Sequence, residues 1–174
     1  GIRIQGKHEV LGETLQQRCW MHKTANVLNC LPKSMQAKAK GALHEIWQAD
    51  TKAEAGKAFD LFIETYEPKY PKATLNLHKD REELLAFYDF PAEHWQSIRT
   101  SNPIESTFGT IRHRTKRSKG CLTRDGMLHM MFKLGMCAER SWHRIRGFES
   151  LAKVITGVKF HNGLEAKQDD QVAA

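Results

Sequence analysis

The sequence has no apolar run approaching the 18 or more residues of a membrane-spanning helix, and no signal-peptide pattern stands at its start. These absences argue against a membrane partner. Cysteine is also scarce. The four cysteines are scattered and form no disulfide-like framework, so we expect free thiols in a reducing cytoplasm. With 174 residues, 40% of them hydrophobic, the chain can bury one sizeable core or form part of a larger domain.

Hydrophobic residues recur mainly at helical spacing. The segment 34–90 predicts three helices with apolar stripes, and the second opens with a capping box formed by Thr51 and Glu54. Before them, the pattern predicts a short buried strand at Leu15–Trp20 and a helix at Lys23–Leu31. Two more amphipathic helices are predicted after residue 122, the first capped by Thr123 or Asp125. The sequence therefore predicts a mainly α fold with at most one or two short strands.

One predicted helix combines a carboxylate with cations. Asn102 is a favourable N-cap, and Glu105 occupies the capping-box position after Pro103. At about 100° per residue, a single stripe of this helix holds Glu105, Gly109, Arg112 and Lys116. A neighbouring apolar stripe is predicted from Ile104, Phe108 and Ile111. On local chemistry alone, Glu105 is either a capping residue or a catalytic carboxylate.

Positive charge is in excess: the sequence has 27 Lys and Arg residues and 20 Asp and Glu residues, which gives a formal net charge of +7. Such a balance favours an acidic partner, most simply nucleic acid. Basic runs are often only solvated faces, but here the cations extend the face that carries Glu105, which favours binding of DNA phosphates. The predicted phosphate-binding residues are Arg112, Arg114, Lys116, Arg117 and Lys119. A second basic patch surrounds Trp142 and comprises Arg140, His143, Arg144 and Arg146.

Two motifs give the sequence a family resemblance. The first is Thr-Ser-Asn-Pro-Ile-Glu-Ser-Thr-Phe at 100–108, followed by the basic helix end and Lys-Gly-Cys-Leu at 119–122. The second spans 17–28 and contains a Cys-x-x-His pattern at Cys19 and His22. In this order they closely resemble bacterial insertion-sequence transposases of the Mutator-like superfamily, and more narrowly the IS256 family.

The resemblance implies a role for Glu105. It corresponds to the third, catalytic and metal-binding acid of an Asp-Asp-Glu (DDE) triad that works with Mg²⁺ or Mn²⁺. Neither catalytic Asp has a matching position in this sequence, so the chain is expected to be inactive alone. The implied partners are DNA, at the terminal inverted repeats of the element, and further transposase subunits, as a homo-oligomer or with full-length transposase. The implied location is the nucleoid in the bacterial cytoplasm.

The resemblance also implies a domain organisation, the C-terminal part of a ribonuclease-H-like catalytic domain. Residues 1–31 would end the first part of that core, and residues 32–97 would form an all-helical insertion. Residues 98–163 would complete the core with the Glu helix and the basic helices, and residues 164–174 would form a flexible tail. A plain helical bundle predicts the same periodicity, so the pattern alone leaves both open.

The Cys-x-x-His motif has two interpretations. Cys19 and His22 have the spacing of half a zinc site, but no second Cys-x-x-His or Cys-x-x-Cys pair exists. The favoured interpretation is that Cys19 packs as a small apolar residue and that His22, by resemblance, hydrogen-bonds near the active site. Two other functions stay open: a non-catalytic DNA-binding helical module or remnant that pairs with or inhibits intact transposase, and a purely structural helical protein.

Overall fold

The computed structural model describes residues 15–118 and 123–166, and only the backbone of residues 102–104. This part of the chain is mainly helical. The helices are α1 (Trp20–Leu28), α2 (Lys33–Gln48), α3 (Lys52–Tyr66), α4 (Pro71–His78), α5 (Arg81–Leu85), α6 (Trp95–Ile98), α7 (Asn102–Arg117), α8 (Arg124–Glu139) and α9 (Leu151–Ile155). Short 3₁₀ segments span Ala86–Asp89, Ala92–His94 and Phe148–Ser150, and two strands follow, β1 (Phe160–His161) and β2 (Leu164–Glu165).

The hydrophobic core is built from α1 to α5 and the 3₁₀ turn after them. Helix α2 packs against α3, and α1 packs against both α2 and α4. The stripes predicted for α2 and α3 are confirmed, and the Thr51 hydroxyl caps α3 by accepting from the backbone N–H of Glu54. Fully buried side chains of the two stripes are Ala39, Leu43, Ile46, Ala55, Phe59 and Phe62.

Helix α1 is fixed to this core by polar bonds as well as apolar contact. The buried indole of Trp20 donates from Nε1 to the carbonyl of Leu84, 2.8 Å away. The buried ammonium of Lys23 pairs with the carboxylate of Asp80 and donates to the carbonyl of Asn76 at 2.7 Å. A buried charge with a hydrogen-bonded partner tolerates little displacement, because separation would leave it unpaired. The start of α1 therefore has a defined position.

Helices α7 and α8 pack against each other and bury little. In α8 no described residue is buried, and of the described side chains of α7 only Ile111 is buried. Phe108, in the predicted apolar stripe of α7, is 57% exposed. The predicted apolar stripe of α8 is only partly covered: Leu128 (56%) and Met131 (41%) are exposed, and its other members, Met127, Leu134, Gly135 and Ala138, are half-buried. Helical periodicity identified these helices correctly but did not place their apolar faces in the core.

A small hairpin closes the described chain and docks on the helices. Strands β1 and β2 pair antiparallel through Phe160↔Glu165 and His161↔Leu164. Asn162 and Gly163 form the turn, both with positive φ (49° and 81°), as in a type I′ turn. The Asn162 side chain accepts from the first backbone N–H of α3 at 2.8 Å. The N–H of Gly163 donates to the carbonyl of Tyr88, and the carbonyl of Gly163 accepts from the N–H of Ala92. Leu164 and Glu165, inside the predicted tail, belong to β2, and residues 167–174 lie outside the described residues.

Three local predictions are wrong. No strand forms at Leu15–Trp20, because the backbone N–H groups of Arg18 and Trp20 bond to the carbonyls of Glu83 and Arg99 and not to a neighbouring strand. Residues 15–19 have no regular structure, and Trp20 begins α1. The helix predicted at Lys23–Leu31 correspondingly runs from Trp20 to Leu28. The single helix predicted before Pro91 is divided into α4, α5 and a 3₁₀ turn, because Asp80 leaves helical geometry (φ −118°, ψ 26°) where its carboxylate meets Lys23.

No described helix is both long enough and apolar enough to cross a membrane.

The hairpin turn yields a stability prediction. A Cβ added at Gly163 (φ 81°) would lie 2.6 Å from the Cβ of Ala92, whereas one added at Gly157 (φ 82°) would meet nothing within 4 Å. Both Ala variants carry similar left-handed backbone strain, about 1–2 kcal/mol, but only Gly163→Ala adds overpacking of about 1–3 kcal/mol. Urea unfolding should therefore show a larger loss of unfolding free energy for Gly163→Ala. Equal losses would contradict the observed docking of the hairpin.

Candidate functional site

The candidate site begins at the first turn of α7. The N-cap is Ser101 and not Asn102, which is already the first helical residue, so the predicted cap is one residue too late. The backbone N–H of Glu105 donates to the carbonyl of Ser101 at 2.9 Å. The Ser101 hydroxyl turns away from the usual capping role and donates to Glu105 Oε1 at 2.6 Å. With 49% of its side chain exposed, Glu105 is accessible from solvent.

The Cys-x-x-His motif meets this turn. Ser101 donates its backbone N–H to Cys19 Sγ at 3.3 Å, and its hydroxyl oxygen lies 3.2 Å from the same sulfur. His22, in the first turn of α1, places Nε2 3.2 Å from Glu105 Oε1 and Nδ1 3.4 Å from Ser101 Oγ. Side chains about 80 residues apart in sequence therefore form one polar cluster. We call Cys19, His22, Ser101 and Glu105 the junction.

Proton counting assigns the donors in the junction. A serine hydroxyl has one proton and two acceptor lone pairs. Its shortest contact is with Glu105, so the Ser101 proton is committed there and the oxygen accepts from Nδ1–H of His22. His22 Nε2–H then donates to the same carboxylate. When both ring nitrogens donate at once, the ring is in the protonated imidazolium form.

The pKa directions agree with this assignment. The pKa of His22 is raised above its ordinary value, chiefly by the Cys19 sulfur; burial opposes the shift, and the charge of Glu105 adds to it. Burial alone would raise the pKa of the Cys19 thiol, but its bonds with Ser101 and His22 together lower it. Cys19 is thus half-buried and polar in its contacts, which corrects the expectation that it packs as a small apolar residue.

The described residues do not complete a metal site. No group of three or more His, Cys, Asp or Glu side chains is placed to hold a metal ion in the described part of the chain. Glu105 offers one carboxylate, which suits Mg²⁺ or Mn²⁺ in its oxygen chemistry but falls short of the ligand number that such ions need. Cys19 and His22 likewise supply at most half of a zinc site.

The predicted basic residues divide between two sides of α7. Four of them, Arg112, Arg114, Lys116 and Arg117, are exposed, whereas Lys119 lies outside the described residues. At about 100° per residue, Arg112 and Lys116 fall within about 20° of Glu105 around the helix. Arg114 falls about 180° away from it, and Arg117 about 120° away. Only two of the cations therefore extend the carboxylate face.

Sequence comparison identifies the family. A family model described as "Transposase, Mutator family" matches residues 5–143 of the chain. The chain belongs to the Mutator family of transposases.

Individual relatives agree with this assignment. The chain is 54% identical over 169 residues to the "Transposase for insertion sequence element IST2" of Acidithiobacillus ferrooxidans, an alignment covering 95% of this chain and 57% of the relative. It is 44% identical over 155 residues to the corresponding protein for IS6120 of Mycolicibacterium smegmatis, covering 89% of this chain and 48% of the relative. This Mutator-family chain therefore spans about half the length of these two curated relatives.

Within this transposase chain, Ser101 is the site residue that sequence reasoning missed. Its role depends on contacts with Cys19 and His22, which no local pattern records. One signal was present: Ser101 stands four residues before Glu105, so the two side chains lie on the same side of the first turn.

The junction predicts an observable titration in this Mutator-family chain. Because the folded pKa of His22 lies above the ordinary 6.5, its protonated form stabilises the junction below about pH 6.5, and this contribution is lost as the pH rises through the folded pKa. An NMR titration of the His22 ring, identified by its absence in His22→Gln, should show the raised pKa. Cys19→Ala should lower it more than Glu105→Gln does, because the sulfur is the larger cause. An ordinary pKa in the wild-type chain would contradict the junction.

Proposed function

We propose that this chain carries the third acid of a DDE-type transposase of the IS256 group, within the C-terminal part of a ribonuclease-H-like catalytic domain. One observation carries the proposal. An exposed carboxylate, Glu105, stands in the first turn of α7 and is held by His22 of the Cys-x-x-His motif. Two motifs that are 80 residues apart in the sequence thus meet at one acid, as expected for parts of one active site.

The proposed chemistry is cleavage and joining of DNA strands. In the family, bound Mg²⁺ or Mn²⁺ ions supply the charge that activates the attacking oxygen and stabilises the leaving oxygen. Glu105 would be one ligand, because its carboxylate oxygens are the donors that such hard cations prefer. Since the described residues hold no complete metal site, the other ligands would come from elsewhere in the functional protein. We therefore propose no cleavage by this chain alone.

The proposed substrate is DNA, at the terminal inverted repeats of an insertion sequence, and the proposed place of action is the bacterial nucleoid. Arg112 and Lys116 extend the face of α7 that carries Glu105 and are exposed. There they would hold the phosphodiester without reading the base sequence. Pairing with full-length transposase, or assembly into a homo-oligomer, would bring the missing acids to Glu105.

A second candidate function is a non-catalytic DNA-binding module or remnant that pairs with or inhibits intact transposase. The observation that favours it is the absence of a three-ligand metal group in the described part of the chain. Such a module needs the cations of α7 but not the Glu105 carboxylate. Substitutions of the cations and of Glu105 can therefore distinguish a DNA-binding module from part of a catalytic domain.

Salt dependence tests DNA binding. If the four exposed cations of α7 all contact phosphates, the logarithm of the affinity should fall with the logarithm of the salt concentration at a slope of about −3.6, or roughly 150-fold between 50 and 200 mM salt. The double variant Arg112→Gln/Lys116→Gln should reduce the slope to about −1.8. The matched control is Lys38→Gln/Lys40→Gln, which removes two exposed lysines from α2. Gel shifts over a range of salt concentrations measure the slope for the wild-type chain and for each double variant. An equal effect of the two double variants would refute the placement of DNA on α7.

Glu105→Gln separates the two candidate functions. In the isolated chain with Mg²⁺ or Mn²⁺, DNA binding should be unchanged or slightly tighter, because a negative charge is removed, and no nicking of insertion-sequence ends is expected. In a chimera that joins this chain to the remaining part of the IST2 transposase, the same substitution should abolish cleavage while preserving binding. Nicking by the isolated wild-type chain would contradict the proposed dependence on further acids. Full cleavage by the Glu105→Gln chimera would rule out a catalytic role for Glu105 and leave the DNA-binding module as the remaining candidate function.

A further inference from the structure

A second surface that the proposed active site does not use lies at the end of α8. Trp142 follows this helix with 61% of its surface exposed. Its indole Nε1–H donates to Thr107 Oγ1 on α7 at 3.2 Å. One edge of the ring is therefore held in place while most of the ring remains accessible.

The segment that carries Trp142 is fixed at its other end too. Gly147 adopts a left-handed conformation (φ 66°) against Glu93, and a Cβ there would lie 2.6 Å from the Glu93 Cβ. Its carbonyl accepts from Nε2–H of His94, a buried residue, at 2.9 Å. The exposed segment 140–146 thus runs between two anchors, one on α7 and one on the helical core. A binding surface held in this way loses little conformational entropy when a ligand binds.

The segment is strongly cationic. Four of its seven residues are basic and exposed, and none is acidic; the four are Arg140, His143, Arg144 and Arg146. The guanidinium of Arg144 lies over the ring of Phe148, 5.1 Å from its centroid. An accessible indole among exposed basic side chains suits a ligand that has both flat rings and negative charge.

This surface is separate from the carboxylate. Thr107 lies about 200° from Glu105 around α7, so Trp142 is on the far side of a helix that is about 10–12 Å across. Arg114, about 180° from Glu105, lies on the same side as Thr107. The same helix therefore presents one cationic face next to the carboxylate and another next to Trp142.

We propose that Trp142 is a stacking platform for an unpaired nucleobase of bound DNA, with Arg144, Arg146 and Arg114 binding the adjacent phosphates. The inference rests on the proposed DNA-binding function and deepens it. A base pair in the interior of a duplex already stacks on both faces and has no free ring for an indole. An unpaired base does, and aromatic side chains in cationic grooves bind such bases with little regard to sequence.

The test compares two labelled DNAs at fixed salt, a blunt duplex and the same duplex with a five-nucleotide single-stranded end. Fluorescence polarisation gives the affinity of the wild-type chain, Trp142→Ala, Trp142→Phe and the control Phe132→Ala. Phe132 is a comparably exposed aromatic residue (64%) within α8, outside the cationic segment. Quenching of tryptophan emission by the single-stranded end reports stacking directly, and thermal unfolding and size-exclusion chromatography check the fold and the oligomeric state.

Trp142→Ala should bind the DNA with the single-stranded end about 5- to 150-fold more weakly, the range for loss of one stacked base, and the blunt duplex nearly as well as the wild type. Trp142→Phe should keep most of the affinity but lose the quenching, and Phe132→Ala should change neither. An equal loss on both DNAs, or no loss on either, would overturn the proposal while leaving DNA binding intact. A changed oligomeric state with unchanged affinities would overturn it in favour of a protein interface. If the wild-type chain binds neither DNA, the proposed function itself fails.

Discussion

The site depends on the contact between the start of α1 and the start of α7. Ser101 touches Cys19, His22 and Glu105 at once, and it joins segments that are 82 residues apart at their widest. A junction of this kind is accurate only if both segments have fixed positions. On the α1 side this is achieved by the buried pair of Lys23 with Asp80, whose separation would leave a charge unpaired in the core.

The two sides of the junction are stabilised very differently. Helices α1 to α5 enclose the buried core, whereas α7 and α8 bury only Ile111 among their described side chains. Hydrophobic burial therefore contributes little to the placement of α7. The polar contacts of Ser101 and the backbone hydrogen bond from Trp20 to Arg99 contribute more to its position. Since polar contacts exchange readily with water, this half of the site has the lower local stability.

How well each feature could be predicted from the sequence depends on how far apart in the chain the interacting residues are. Caps act over three residues, so the predicted cap of α3 at Thr51 is confirmed, and of the two candidates for α8, Thr123 and Asp125, Thr123 is the cap. Contacts over long separations have no local signature: Asp80 breaks a helix because its partner is Lys23, and Ser101 acquires its role from Cys19. The hairpin is a different case, because its Asn-Gly turn at 162–163 is a recognised short-range signal that the helical reading of the sequence left unused. Periodicity, finally, specifies which residues share a face but not whether that face meets the core.

The rotation of each residue around α7 decides how the proposed DNA ligand would be held. A run of cations spaced by two residues cannot lie on one side of a helix, because two residues correspond to about 200° of rotation. Arg112 and Lys116, four residues apart, therefore accompany Glu105, and Arg114 between them must face the other way, towards the side of Trp142. A basic cluster that looks continuous in sequence is in fact two surfaces. If DNA binds as we propose, one helix would position a phosphodiester at its carboxylate while its opposite side holds a different part of the same DNA.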